Sequence, residues 1–155
     1  MIYDCIKFLH VIGAAVILGT GAGIAFFMLM AHLSRDAAFI ARTAAIVVFA
    51  DFVFTATAIA LQPVTGYVLV RVTGTPFNEH WLELSLVLYA VAGAFWLPVV
   101  WMQMRMRDLA RVAASTAKPL PREYDRLFRL WFLFGFPGFG SVLGIIWLMI
   151  AKPVL

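Results

Sequence analysis

Four long apolar runs dominate the pattern of hydrophobic and polar positions. They cover roughly residues 8–31, 43–70, 82–104 and 130–151, and each contains at most one Asp, Glu, Lys or Arg. At a rise of about 1.5 Å per residue, a helix of about twenty residues crosses a hydrocarbon core about 30 Å thick. The pattern therefore predicts an all-α, four-helix transmembrane bundle, built as a single integral membrane domain over residues 1–155.

Short polar segments separate these runs, and turn-forming residues concentrate at 34–36, 73–76 and 118–121. Arg107, Asp108 and Arg111 lie at helical spacing, which allows ion pairing along one helix. The third helix is therefore expected to run past the membrane over 106–116, inside a predicted loop at 105–129.

Composition supports a membrane protein. Hydrophobic residues make up 64% of the chain, charged residues 13%, and the mean hydropathy is +0.96. A soluble globular protein is about half apolar and a quarter charged. Nucleic acid is not an expected partner despite the net charge of +4, because no soluble domain remains to carry a basic surface. Cys5 is the single cysteine, which excludes an internal disulfide and a thiolate metal site.

Basic residues are distributed unevenly between the links, and this predicts the orientation. An even number of spans places both termini on one side of the membrane, together with the link at 71–81. That side holds three Lys or Arg residues, whereas the other side holds nine. By the positive-inside rule, the nine lie in the cytoplasm and both termini lie on the external, periplasmic side. The nine are Arg35, Arg42, Arg105, Arg107, Arg111, Lys118, Arg122, Arg126 and Arg129.

Polar residues inside the apolar runs are candidates for function, because hydrocarbon does not solvate them. Asp51 lies nine residues beyond Arg42, roughly 13 Å into the bilayer on a regular helix. Thr55, Gln62 and Thr65 continue the same helical face. Two interpretations stay open. The face is either a hydrogen-bonded seam between helices or a site in which Asp51 relays a proton or orients a ligand.

The second helix is interrupted by a proline, and the third carries a polar face of its own. Pro63 removes a backbone donor and frees the carbonyl one turn earlier, which indicates either a kink beside a cavity or a feature of packing. Methionines at the ends of the first and third helices are interpreted as packing residues rather than as a Cu(I) site. The third-helix face comprises Ser85, Tyr89, Gly93, Trp96, Val100 and Gln103.

The three histidines differ in depth. His10 lies about 10 Å into the first span, and His32 ends the same helix some 33 Å away, so these two cannot share a ligand. His80 begins the third helix on the external side, where it could meet His10, Gln62 and Glu83. Histidines at a membrane interface are usually polar anchors, which is the interpretation favoured for His32 and His80. His10 instead has the position of an axial haem ligand inside a helical bundle.

Glycines four residues apart mark two surfaces where helices can approach closely. The pairs are Gly19 with Gly23 and Gly140 with Gly144. They predict either contacts inside the bundle or an interface with a second copy or a larger membrane complex. The other expected partner is the lipid bilayer.

Motifs spread along the chain form a set: Lys7-Phe8-Leu9-His10-Val11-Ile12-Gly13, Gly19-Thr20-Gly21, Ala50-Asp51, Leu61-Gln62-Pro63-Val64-Thr65-Gly66 and the segment 96–107. Together they resemble the bacterial integral membrane proteins grouped as domain of unknown function 2269. The resemblance covers nearly the whole chain. It implies a four-span protein of the bacterial inner membrane and does not supply an activity.

A second resemblance is confined to the first helix and is carried by Lys7, His10, Gly19 or Gly21, and His32. These residues are similar to the pattern of HemJ-type protoporphyrinogen oxidases, which belong with the related copper-resistance membrane proteins and are associated with haem b and proton-coupled oxidation. The chain has Ile17 and Phe27-Met28-Leu29 where the HemJ type has a tryptophan and a Leu-Pro-Arg segment. The resemblance therefore implies haem ligation rather than the porphyrinogen-oxidising activity itself.

The predicted function is haem b binding linked to redox chemistry, as in a membrane oxidoreductase. His10 is the predicted haem and metal ligand, Lys7 lies near a haem propionate, and Asp51 is the predicted catalytic residue. The other predicted cofactor-binding residues are Gln62, Tyr89, Trp96 and His80. The alternative is a non-catalytic accessory subunit or a small proton-coupled carrier. Hydrolysis and phosphoryl transfer are not expected, because the sequence has no nucleophile elbow and no phosphate-binding loop.

Overall fold

The computed structural model describes residues 1–153 and consists of helices joined by short links. In chain order the elements are α1 (Ile2–Ser34), α2 (Ala37–Ala50), a π-helical turn (Asp51–Thr55), α3 (Ala56–Thr73), α4 (His80–Thr116) and α5 (Arg122–Ala151). Because α2, the π-helical turn and α3 are continuous, the chain has four helices long and apolar enough to cross a membrane. The predicted all-α bundle with four transmembrane helices is confirmed.

A side-chain cap and a left-handed glycine define the first two links. Asp36 precedes α2, and its Oδ1 atom accepts hydrogen bonds from the backbone nitrogens of Ala38 at 2.8 Å and Phe39 at 3.2 Å. These bonds satisfy donors that the first turn of a helix leaves free. Gly74 ends α3 with a φ of 68°, a conformation that glycine adopts without steric cost. The first two turns predicted from the sequence are therefore confirmed.

The segment 105–129, predicted as a loop, is mostly helical. α4 continues to Thr116 and α5 begins at Arg122, so residues 117–121 alone form the link. The predicted extension of the third helix is confirmed, whereas the loop predicted over 122–129 is wrong. Arg, Lys and Glu are good helix formers, so a helix need not end where its apolar run ends.

The bundle has two chemically distinct ends. We call one the basic end, which holds the links 35–36 and 117–121, and the other the termini end, which holds Met1, the link 74–79 and Lys152. An apolar core fills the basic half. It draws on every membrane helix and includes Met28, Ile40, Met102, Met106 and Tyr124, each at most 3% exposed. Met28, Met102 and Met106 therefore pack in the core, as predicted, whereas Met30 is 46% exposed.

The termini half is more open, because the helices pair off there instead of closing around one core. α1 packs along α2 and α3, whereas α4 packs along α5 and α2. α3 meets α4 and α5 mainly through a small cluster of Val70, Trp81, Leu82 and Leu148. A gap is left between the α1–α3 pair and the α4–α5 pair.

The outer surface is apolar on every membrane helix. Exposed large side chains include Phe8 on α1, Phe49 on α2, Leu97 on α4 and Trp147 on α5. A water-soluble protein rarely exposes apolar area this extensive, whereas lipid tails solvate it. The chain is therefore a multi-pass integral membrane protein.

Candidate functional site

A cavity of about 1210 Å³ occupies the gap between the two helix pairs. Its lining is mostly apolar, and its volume exceeds the roughly 300–1,000 Å³ typical of small-molecule sites. The polar faces predicted on the second and third helices both line it. Six of the seven predicted site residues are among its lining: Lys7, His10, Asp51, Gln62, Tyr89 and Trp96.

His80 is the predicted site residue that lies outside this cavity. Its Nδ1 atom is 3.5 Å from Oε2 of Glu83, and both side chains are more than half exposed. It lines a separate pocket of about 400 Å³ at the termini end. The structure therefore brings His10 together with Gln62, but it does not bring His80 or Glu83 to them.

His10 is held by a hydrogen bond to Thr65. Its Nδ1 atom lies 2.8 Å from Oγ1 of Thr65. In the tautomer with the proton on Nδ1, the histidine donates to the Thr65 hydroxyl, which donates in turn to the carbonyl of Leu61 at 2.9 Å. The Nε2 atom then carries a lone pair, and it has no hydrogen-bond partner among residues 1–153. A ring held in this way is ready to ligate a metal.

Two glycines allow α1 and α3 to approach closely at His10. Gln62 donates from Nε2 to the backbone carbonyl of His10 at 3.0 Å. A Cβ atom at Gly13 would collide with this amide nitrogen, and one at Gly66 would lie 3.4 Å from Cε1 of His10. The motifs that contain these residues therefore form one seam between two helices.

Pro63 lies inside α3, which continues as a helix on both sides of it. A proline cannot donate to the carbonyl four residues earlier, which here is that of Ile59. The Tyr89 hydroxyl of α4 donates to this carbonyl at 2.7 Å. The freed carbonyl predicted from the sequence is therefore satisfied from across the cavity.

Asp51 lies at the deep end of the cavity, next to the core of the basic half. It begins the π-helical turn, in which the backbone nitrogen of Ala56 donates to the Asp51 carbonyl. Its side chain is 3% exposed and accepts from Nε1 of Trp96 at 3.4 Å. It also accepts from Nε2 of Gln103 at 2.7 Å, in the amide orientation in which Gln103 accepts from Nε1 of Trp131 at 3.1 Å.

Thr55 ends the π-helical turn and is 4% exposed, yet its hydroxyl has no hydrogen-bond partner in the part of the chain that the structure describes. Buried hydroxyls are nearly always paired, so an orphaned one points to a missing partner. π-Helical turns are also frequent at functional sites. We call this group of residues the cavity floor: Asp51, Thr55, Trp96, Gln103 and Trp131.

Sequence reasoning missed two parts of the cavity floor. Trp131 closely follows the basic segment, where tryptophan commonly anchors a helix at the membrane interface, so its position gave no sign of a buried hydrogen bond. The π-helical turn inserts one residue into a regular apolar run, and no residue type marks such an insertion.

His32 lies at the basic end, in a contact between α1 and α5. Its ring stacks on Phe128 with 3.6 Å between ring centroids, and its Nδ1 is 3.4 Å from the hydroxyl of Tyr124. Beside it, Arg35 donates to the Asp125 carboxylate at 2.6 Å. This hydrogen bond raises the pKa of the Arg35 guanidinium above its ordinary value. His32 is therefore part of the contact that closes the basic end and is remote from the cavity.

The chain was compared with known protein families, curated proteins and solved structures. A family described as predicted integral membrane proteins, DUF2269, matches residues 4–153. The chain belongs to this family. Neither the comparison with curated proteins nor the comparison with solved structures found a match. Membership in DUF2269 agrees with the membrane fold and names no activity.

For this DUF2269 member, protein side chains alone do not form a metal cage. Within residues 1–153, no group of three or more His, Cys, Asp or Glu side chains could hold a metal ion. A lone imidazole such as His10 suits a metal that brings most of its ligands with it, as the iron of haem does.

The glycine pairs predicted as close-contact surfaces behave differently from one another. A Cβ atom at Gly144 would lie 3.0 Å from Leu88, so this glycine lies in a contact between α5 and α4. Cβ atoms at Gly19, Gly23 and Gly140 would meet nothing within 4 Å. These three glycines therefore do not mediate helix contacts inside the bundle.

Proposed function

We propose that this chain binds haem b in the membrane cavity through His10 and serves a redox-linked function. The hydrogen bond from Nδ1 of His10 to Thr65 carries the proposal, because it leaves the Nε2 lone pair free on a residue that lines the cavity. Metal-ligating histidines almost always donate their other ring N–H in this way. The similarity of the first helix to the HemJ type agrees with this assignment.

The cavity also fits a haem group in size and chemistry. A volume of about 1210 Å³ and a mostly apolar lining suit a large planar macrocycle. Lys7 lines the cavity at the termini end, where its ammonium group would pair with a propionate. Gln62 would fix the backbone of His10, and Tyr89 and Trp96 would line the pocket. When bound, haem would supply one-electron chemistry.

Asp51 is assigned a proton-handling role in this proposal. A carboxyl group at this depth is costly, and ionisable residues inside membrane spans commonly form proton relays. Its hydrogen bond from Trp96 connects it to the third-helix face that lines the same cavity. Asp51 would therefore hold or pass on a proton at its carboxyl oxygens, on the side of the cavity facing the basic end.

We assign the protein to the bacterial inner membrane, with the basic end in the cytoplasm and both termini in the periplasm. The support is the charge distribution, since nine of the twelve Lys and Arg residues belong to the two links of the basic end and their flanks.

A visible spectrum tests the proposal. Protein made with ample haem and purified in detergent should show a Soret band and, when reduced, an α band. His10→Ala should abolish or shift these bands, whereas His32→Ala should leave them unchanged because His32 lies at the basic end. Absence of any haem band in the wild-type protein would overturn the proposal and favour a non-catalytic accessory subunit or a proton-coupled carrier.

A further inference from the structure

The Asp51 carboxylate receives hydrogen bonds from donors whose direction is fixed. Trp131 can only donate from its indole nitrogen, so it sets the Gln103 oxygen as an acceptor and turns the Gln103 NH₂ group toward Asp51. Trp96 donates to the other carboxyl oxygen. Every partner observed on the Asp51 side chain is therefore a neutral donor, which is the arrangement that stabilises a negative charge.

No cationic group in the described part of the protein lies beside this carboxyl group. Among residues 1–153, no Lys, Arg or His nitrogen lies within 4 Å of the Asp51 carboxylate. The cationic or titratable nitrogens that line the cavity are those of Lys7, His10 and Lys152, which belong to its termini end. A buried carboxylate is costly unless a positive group pairs with it.

We propose that the cavity floor is a binding site for a lipophilic organic cation. The cation would lie against the Asp51 carboxylate, which lacks a positive partner in the chain. This inference does not depend on haem binding. Gln62, at the level of His10, is eleven residues beyond Asp51, or roughly 16 Å along a helix. His10 and Asp51 therefore lie at opposite ends of the cavity, and Trp96 is a lining residue that the two proposed sites share.

The orphaned hydroxyl of Thr55 is an independent observation that points to a ligand. It is buried at the same floor, and no group among the described residues meets it in hydrogen-bonding geometry. An ammonium N–H of the ligand could donate to Thr55 Oγ1 while its charge faces Asp51. A neutral carbonyl compound would instead direct an acceptor at the acceptor oxygens of Asp51, so it fits less well.

The walls of the cavity suit a cation that carries apolar groups. Aromatic rings surround the space near the floor, and indole faces attract cations most strongly among aromatic side chains. The rings include those of Phe95, Trp96, Trp131, Phe132 and Phe134. Because α3 packs only loosely on α4 and α5, such a molecule could enter the cavity from the bilayer.

Binding of tetraphenylphosphonium and of tetraphenylborate, two ions of similar size and shape and opposite charge, tests the proposal. Equilibrium dialysis would be performed on the full chain in nanodiscs, with protein-free nanodiscs subtracted to remove partitioning into lipid. We expect saturable binding of the phosphonium and none of the borate. Saturable binding of both ions with equal affinity, or of neither, would overturn the proposal.

Variants locate the site. Asp51→Asn should weaken phosphonium binding by about tenfold or more, because it removes the charge and retains the shape. His10→Ala and Asp108→Asn should bind as the wild type does, since His10 serves the other end of the cavity and Asp108 lies in an ion pair at the basic end. Unchanged binding by Asp51→Asn would overturn the proposal. If this variant does not fold, the comparison of the two ions on the wild-type protein decides the question.

A second probe tests the Thr55 hydroxyl separately. Octylammonium carries N–H donors, whereas tetraphenylphosphonium carries none. Thr55→Val should therefore weaken octylammonium binding by about two- to tenfold and leave phosphonium binding unchanged. An equal loss for both ions would show that Thr55 only shapes the cavity, and would overturn its assignment as a ligand acceptor. The haem spectra of Thr55→Val and Asp108→Asn should remain as in the wild type, which separates this proposal from haem binding.

Discussion

At the scale of single residues, the direction of each hydrogen bond decides what the cavity can bind. His10 donates its Nδ1 proton to Thr65 and keeps a lone pair on Nε2. Asp51 accepts hydrogen bonds from Trp96 and Gln103, one at each carboxyl oxygen. Both ends of the cavity therefore present bases. The proposed haem iron at one end and the proposed organic cation at the other would each pair with one of these basic groups.

Thr65 is a positioning residue for His10 in the proposed haem site. Thr65→Val removes the acceptor for the Nδ1 proton and keeps the shape of the side chain, so the ring loses its fixed tautomer. We expect haem affinity to fall by about 10- to 100-fold, measured by titrating haem into the apoprotein and following the Soret band. Thr116→Val is the matched control, because the Thr116 hydroxyl bonds to the Val112 carbonyl in the last turn of α4, at the basic end and outside the cavity. Equal haem affinity in Thr65→Val and wild type would contradict this role.

Gly13 and Gly19 lie on the same helix and should respond to alanine in opposite ways. Gly13→Ala puts a methyl group against the Gln62 amide, the end of a flexible side chain, which must move away and lose its hydrogen bond to the His10 carbonyl at a cost of about 0.5–1.5 kcal/mol. Gly19→Ala meets open space and removes a flexible glycine from a helix, so it should be neutral or stabilising by up to about 1 kcal/mol. Thermal unfolding in detergent, followed by circular dichroism, measures both. A Gly13→Ala protein as stable as Gly19→Ala would show that the seam between α1 and α3 is looser than described.

At the scale of elements, α3 is coupled to α4 through one hydrogen bond that a proline makes necessary. Pro63 leaves the Ile59 carbonyl without its helical donor, and Tyr89 supplies a hydroxyl in its place. This bond spans the cavity, at the level where α3 otherwise packs only loosely on α4. It therefore fixes the separation of the two helix pairs on that side.

A double-mutant cycle tests this coupling. Tyr89→Phe should destabilise the protein by about 0.6 kcal/mol, the average found for hydrogen bonds between membrane helices, and by no more than about 1.7 kcal/mol. In a Pro63→Ala background the restored backbone N–H can bond to Ile59 within α3, so the same Tyr89→Phe change should cost much less. The measurement is reversible unfolding in mixed micelles. Equal costs in the two backgrounds would mean that the Tyr89 hydroxyl does not replace the missing backbone donor.

The elements show which parts of the structure the sequence can predict. The 3.6-residue period of a helix predicts which residues share a face. Spacing alone therefore predicted that Asp51 and Gln62 share one face and that Tyr89 and Trp96 share another. The sequence did not predict which of these faces meet, because that depends on how α1 to α5 pack against one another. His80 is an example. Its position in the sequence places it at the termini end, as for His10, yet it lies outside the cavity.

At the scale of the whole molecule, the bundle is asymmetric along the membrane normal. The basic half is closed by a core from every membrane helix and by ion pairs such as that between Arg105 and Glu123 at 2.8 Å. The termini half holds the cavity. If the basic end faces the cytoplasm, the cavity and His10 belong to the periplasmic half of the membrane. Orientation thus decides which compartment exchanges protons and ligands with the site.

The single cysteine allows this orientation to be measured without introducing a label site. Cys5 is exposed and lies in the first turns of α1, at the termini end. A membrane-impermeant maleimide should label it in intact spheroplasts if the termini are periplasmic, as the excess of basic residues at the other end predicts. A Cys5→Ser protein that also carries Ser115→Cys, an exposed position at the basic end, should be labelled only after lysis. The reverse pattern would place the cavity on the cytoplasmic side and would reassign the compartment from which His10 and Asp51 are reached.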